Sequence, residues 1–287
     1  MSRLQDLWEL SVHALLKVAP VEWASAVGSF LVRTNVRYFR KEIAEGARRN
    51  LAIHRPDLDG AAIEASVQRF LDNVGRMMGE FSILHRLQGE GRLEYAGFEP
   101  VLEVNGREPL LAIALHTGNW EAMGAGLQHL GISTATFYEP PRSAAQRQIA
   151  IATRQRLGFK LLAPDQHGLR EAIALLRAGG NVIIFGDEAR AGRTMAPLFG
   201  RPPHDKGNLA IAARLARKLK CRLVVSHVER LPHCRFRLHI TAPFSLPDAA
   251  GRSLLDDVGF LNAKIEPVIL ANLDTWYFLD DRIDPLE

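Results

Sequence analysis

Hydrophobic positions fall into two rhythms along the chain. Six apolar residues, 110–115, run without a polar interruption and stop at His116. Such a run suits a central parallel strand covered on both faces. It predicts a buried strand over 110–116 that turns sharply into a helix at 119–130, with Thr117, Gly118 and Asn119 as turn and N-cap residues. Strands at 133–138, 159–162 and 181–185 then alternate with helices at 143–157 and 166–178. A loop at 186–193, a brief strand at 196–199, a helix at 206–219, strands at 222–229 and 235–241 and a closing helix at 251–279 complete the series. Upstream the rhythm is helical. Leu4, Leu7, Trp8, Val12, Leu15 and Leu16 mark one or two amphipathic helices within 1–32, broken near Pro20. Ile63, Val67, Phe70, Leu71, Val74 and Met78 mark another over 60–87, followed by a short strand at 92–97 and a turn at Asn105 and Gly106. The pattern predicts an α/β fold: a mixed, mostly parallel sheet flanked by helices. Residues 1–58 form an N-terminal amphipathic helical extension, and 59–287 form the main domain.

Composition narrows the function classes. The 287 residues are 47% hydrophobic and 24% charged, ordinary for a globular protein. A formal net charge of +4 suits anionic partners such as lipid head groups, phosphorylated substrates or an acidic carrier protein. Nucleic acid is not among them, since there is no basic–aromatic motif to stack bases. No cleavable signal or standard membrane span is legible, because Glu9, His13, Lys17, Pro20 and Glu22 interrupt the apolar stretch 4–32. Trp8 and Trp23, followed by Arg33, Arg37, Arg40 and Lys41, fit helices lying on an anionic membrane surface. The alternative is helices packed on their own domain with a solvated basic face. Cys221 and Cys234 make no disulfide framework and read as strand residues facing each other across a hairpin.

Two clusters carry candidate chemistry. His116 and Glu121, spaced His-x4-Glu, bring an imidazole and a carboxylate to the carboxyl end of a strand. A neutral imidazole accepts a hydroxyl proton, and a carboxylate fixes its tautomer and stabilises the imidazolium. With no serine or cysteine in the motif, the acceptor alcohol itself is the nucleophile. The alternative is a structural hydrogen bond at a strand end. The five-residue offset across a turn does not match a zinc helix, and no metal is expected. The second cluster is the loop 186–193, with Asp187, Glu188, Arg190 and Arg193. It lacks the spacing and lysine of a nucleotide-binding P-loop. It reads either as arginines gripping a phosphate or as an exposed turn with local ion pairs.

With these residues assembled, the chain resembles the lysophospholipid acyltransferase superfamily, in particular its bacterial lipid A lauroyl/myristoyl acyltransferase branch. The resemblance rests on HTGNWE at 116–121, on the strand and loop 182–193, on Ala-Pro-Leu-Phe-Gly at 196–200 with Lys206-Gly207, and on Ile265-Glu266-Pro267 with Asp274-Thr275-Trp276. It implies transfer of a fatty acyl chain from an acyl carrier protein thioester to a hydroxyl of a lipid A precursor, a late acylation. It implies His116 as general base and Glu121 as its orienting partner. It implies Asp187 and one of Arg154 or Arg156, with Arg154 preferred, as further active-site positions; Arg190 and Arg193 are the loop's substrate-binding candidates, and backbone N–H groups near Gly118 and Asn119 serve the oxyanion. No cofactor is implied beyond the carrier's phosphopantetheine arm. The implied place is the cytoplasmic face of the bacterial inner membrane, with peripheral or monotopic attachment. Another bacterial lipid acceptor, a phosphoglycolipid or aminolipid, is the nearest alternative. A thioester hydrolase using the same base and a catalytically dead lipid- or carrier-binding module are the others.

Overall fold

The computed structural model describes residues 3–141, 143–248 and 250–283. Residues 1–2 and 284–287, which end the two expected divisions of the chain, lie outside the described residues. Four helices lead: α1 (Arg3–Val18), α2 (Val21–Tyr38), α3 (Lys41–His54) and α4 (Gly60–Glu80). Next come α5 (Leu84–Leu87), β1 (Leu93–Ala96), α6 (Glu99–Val104), β2 (Leu110–Ala114), α7 (Ala122–His129) and β3 (Thr134–Phe137). They are followed by α8 (Ala144–Arg156), β4 (Phe159–Leu162), α9 (Gln166–Arg177), β5 (Asn181–Phe185), β6 (Ala189–Arg190) and β7 (Arg193–Thr194). The chain closes with α10 (Gly207–Leu219), β8 (Arg222–Leu231), β9 (Arg235–Ile240) and α11 (Leu254–Ala271).

Seven strands form one sheet in the order β1-β9-β8-β2-β5-β3-β4. Every pairing is parallel except β8 with β9, so the expected mixed, mostly parallel α/β sheet is present. β2 lies at its centre with all five residues buried. Its Leu111 and Ile113 face a core shared with α4, α9, α10 and α11, and its Leu110, Ala112 and Ala114 face a second core under α7. That two-sided burial explains the unbroken apolar run.

Several boundaries differ from those the pattern predicts. β2 ends at Ala114, so His116 stands in the loop beyond it. The helix at 60–87 is two helices, α4 and α5, separated by a turn at 81–83. The strand at 196–199 is absent, because Pro197 lacks a donor and Phe199 has φ +61, both incompatible with an extended ladder. A two-residue hairpin, β6 with β7, stands just before it. The closing helix is shorter: a Ser253–Asp256 capping box starts α11, and a 3-10 turn, Leu273–Thr275, follows it. The basic stretch after Tyr38 contains α3, whose Ala47 and Leu51 enter the core. Cys221 precedes β8 and Cys234 sits in the turn after it, so the ten-residue strand separates them by about 33 Å. They do not face each other.

The N-terminal helices are built into the main body. Gly28 on α2 meets Gly75 and Gly79 on α4, and a Cβ on any of the three would land on the other helix's backbone. α3 supports the C-terminal segment, its buried Asn50 donating from Nδ2 to the carbonyls of Leu279 (2.6 Å) and Asp281 (2.8 Å).

Candidate active site

The parallel register sets the site. Ala114 on β2 pairs with Phe185 on β5, so His116 and Asp187 both emerge two residues beyond that pair. Asp187 is fully buried. Its Oδ1 lies 2.8 Å from His116 Nδ1, and its Oδ2 accepts from the His116 backbone N–H at 2.8 Å and from the Trp276 indole N–H at 2.9 Å. An Nδ1 held by a carboxylate leaves Nε2 as the ring nitrogen for substrate. Phe185 stacks on the imidazole at 4.1 Å, while Trp120 (4.8 Å) and Phe278 (4.9 Å) meet it edge-on. The ring is therefore fixed in orientation and shielded from bulk water.

The family resemblance implies Glu121 as the orienting partner of His116; in the structure the carboxylate on the imidazole is that of Asp187. Glu121 stands at the N-cap of α7 and closes on Arg154 of α8 through both its oxygens, with Arg154 Nε donating to Oε2 at 3.1 Å. The Arg154 guanidinium also lies 5.1 Å from the centroid of the Tyr138 ring. Arg154 is thus brought to the site, as expected, but pinned by Glu121 rather than free to grip a ligand alone. Arg190 lines the same cavity, whereas Arg193 stands on β7 outside its lining.

Gly118 and Asn119 are structural in this arrangement. Gly118 has φ +58 and approaches Val228 so closely that a Cβ would strike its carbonyl. Its N–H donates to Thr275 O at 3.1 Å, so it does not serve the expected oxyanion. Asn119 is buried and donates from Nδ2 to Glu80 Oε2 at 2.9 Å.

Beneath this loop lies a buried ionic network that no hydrophobic periodicity marks. Glu80, fully buried, receives both Nη groups of Arg230 at 2.6 and 2.8 Å and the Ser25 hydroxyl at 2.7 Å. Arg230 Nε donates to Asn73 Oδ1 at 2.7 Å, and Asn73 Nδ2 donates to the carbonyls of Gly118 and Thr275 at 3.1 Å each. Burial opposes ionisation of Glu80, but the Arg230 charge and the surrounding donors hold its carboxyl below the usual range. α2, α4, β8 and the C-terminal turn thereby converge on the loop carrying His116.

Glu188, next to Asp187, behaves oppositely. Burial pushes its carboxyl up to about 8, although Oε1 accepts from the Asn208 N–H at 2.7 Å and Arg190 stands 3.4 Å away. Its Oε2 has no partner within the protein.

A cavity of about 880 Å³ opens at the carboxyl ends of β2, β3 and β5. That volume suits a substrate with a long chain. His116, Glu121, Arg154 and Arg190 all line it.

Comparison with known proteins agrees with this architecture. No curated protein matches the chain. The model of the bacterial lipid A biosynthesis acyltransferase family matches residues 5–283, nearly the whole length. The chain belongs to that family, and it is an acyltransferase of lipid A biosynthesis.

Proposed function

We propose that the protein moves a fatty acyl chain from an acyl carrier protein thioester to a hydroxyl of a lipid A precursor, as a late acylation, with His116 as general base. The observation carrying this reading is the His116–Asp187 pair at 2.8 Å, with His116 on the wall of a cavity of about 880 Å³. His116 Nε2 takes the proton of the acceptor hydroxyl as its oxygen attacks the thioester carbonyl. Asp187 holds the imidazole in the required tautomer and stabilises the imidazolium. Collapse of the tetrahedral intermediate expels the carrier's thiolate, which takes the proton back from His116. The Glu121–Arg154 pair shapes the cavity wall, and Arg190 offers a positive charge to an anionic head group or carrier.

The lipid acceptor places the reaction at a membrane. The described residues contain no helix long and apolar enough to cross one. α1 instead exposes Leu4, Leu7, Trp8, Leu15 and Val18, and α2 exposes Trp23, Phe30 and Leu31. Such apolar faces beside Arg33, Arg37, Arg40 and Lys41 support peripheral or monotopic attachment to the anionic cytoplasmic face of the inner membrane.

The test is incubation of purified protein with a labelled acyl carrier protein thioester and a panel of lipid acceptors, beside His116→Ala. Label on a lipid A precursor in wild type alone supports the reading. Free fatty acid as sole product replaces transfer by hydrolysis, and label on a different lipid reassigns the acceptor.

A further inference from the structure

The segment after α11 folds back onto the loop that carries His116. The Gly118 N–H donates to Thr275 O at 3.1 Å, and the Tyr277 N–H donates to His116 O at 2.8 Å. Thr117 and Trp276 form an antiparallel bridge between these two bonds. Trp276, at the middle of the added segment, is fully buried. Phe199 meets its ring edge-on at 6.0 Å and Phe278 at 6.2 Å. The backbone ladder and the two aromatic neighbours together set the orientation of the indole. In that orientation its N–H donates to Asp187 Oδ2 at 2.9 Å, across 89 positions of sequence. Trp276 stands outside the lining of the cavity.

A carboxylate with no access to water needs donors from the protein. It also needs them to fix its direction. The torsion that turns an aspartate carboxylate is soft and roughly twofold, so sterics alone do not choose which way it points. The contacts of Asp187 divide by oxygen. Oδ2 accepts from the His116 backbone N–H and from the Trp276 indole, and Oδ1 meets His116 Nδ1 at 2.8 Å. The backbone donor belongs to the same loop as the imidazole. The indole comes from a separate segment and anchors the carboxylate from outside that loop. We propose, resting on the acyl-transfer reading with His116 as base, that Trp276 is a positioning residue. Its indole N–H aims the Asp187 carboxylate at His116 Nδ1 and so holds the base in register without touching substrate. Space-filling would be served by the ring alone. The N–H is the part that reaches the reaction, through Asp187 and then His116.

A double-mutant cycle tests this. Acyl transfer is measured for the full-length wild type, Trp276→Phe, Asp187→Ala and the double variant. A further protein carries 3-benzothienylalanine at position 276, which keeps the outline of the indole and replaces its N–H by sulfur. If Trp276→Phe fails to fold, this replacement takes its place in both backgrounds. Loss of one hydrogen bond to a charged group is expected to lower kcat about 10- to 100-fold, with KM unchanged within about twofold. In the Asp187→Ala background the indole has no carboxylate to aim. The double variant is therefore expected to match Asp187→Ala within about twofold. A residue that only fills space loses the same factor in both backgrounds, and that additivity overturns the proposal. An unchanged kcat with 3-benzothienylalanine overturns it too and leaves acyl transfer standing. Wild type that transfers to no acceptor defeats the acyl-transfer reading and the role of Trp276 with it.

Discussion

His116 and Asp187 are 71 positions apart, yet each lies two residues beyond a strand residue that pairs with the other's strand. Their roles follow from that geometry. His116→Ala removes the base and is expected to lower kcat about 10²- to 10⁴-fold with the fold intact, read by acyl transfer beside circular dichroism. Asp187→Asn keeps the shape but offers an amide N–H to Nδ1, favouring the wrong tautomer. It is expected to lower kcat by a similar factor, about 10²- to 10⁴-fold, with little change in KM. Glu121→Gln leaves the imidazole contacts untouched and loosens Arg154, so its loss is expected mainly in KM. Glu188 carries a pH signature. Its folded value of about 8 lies above its ordinary 4.5, so the unfolded chain releases this proton first as pH rises. Its contribution to stability is full below pH 4.5 and is lost progressively up to about pH 8. Glu188→Gln removes that loss, and a series of melting curves is expected to show Tm gained over wild type at pH 8 relative to pH 5.

Helix α2 and helix α4 touch through glycines, and this contact carries the N-terminal region into the site. Ser25 on α2 and Asn73 and Glu80 on α4 all belong to the network that holds the His116 loop. Gly79→Val places side-chain atoms on the Ala24 carbonyl and is expected to push the helices apart. Its checkable consequence is a lower urea midpoint together with a fall in kcat. Breaking the buried pair is harsher. Arg230→Met leaves Glu80 without its ion-pair partner in a fully buried position and is expected to cost about 3–5 kcal/mol in denaturant unfolding. Sequence periodicity marked α2 as amphipathic but not its glycine seam, since small residues generate no hydrophobic signal. α3 is hidden for a related reason: its charged residues, Lys41, Glu42, Glu45, Arg48 and Arg49, outnumber Ala47 and Leu51, which are buried in the core.

At the scale of the molecule, α1 turns polar groups inward, and α1 and α2 both present large apolar side chains outward. Asp6 and Glu9 of α1 accept from Ser143, next to the start of α8, and His13 bonds Ser82 at 2.8 Å. The same helix exposes Leu7 and Trp8, 61% and 60% accessible, in a pattern that does not suit a surface meeting water alone. Leu7→Ser with Trp8→Ser is expected to reduce cosedimentation with anionic vesicles severalfold, while acylation of a detergent-dispersed acceptor persists. Unchanged binding would remove these helices from the membrane contact.

What the chain determines by itself is local. An unbroken apolar run has to be a covered strand, alternating periods make an α/β sheet, and HTGNWE brings an imidazole to a strand end. Those features depend on neighbours in sequence, and they survive in the folded protein with boundaries displaced by a few residues. Which carboxylate meets His116 is decided by tertiary structure alone. Glu121 is five residues away and turned to Arg154, whereas Asp187 arrives from a neighbouring strand through a register that no single segment encodes. The Glu80–Arg230 network belongs to the same class. Its partners follow from burial and long-range packing, which act only once the chain has closed on itself.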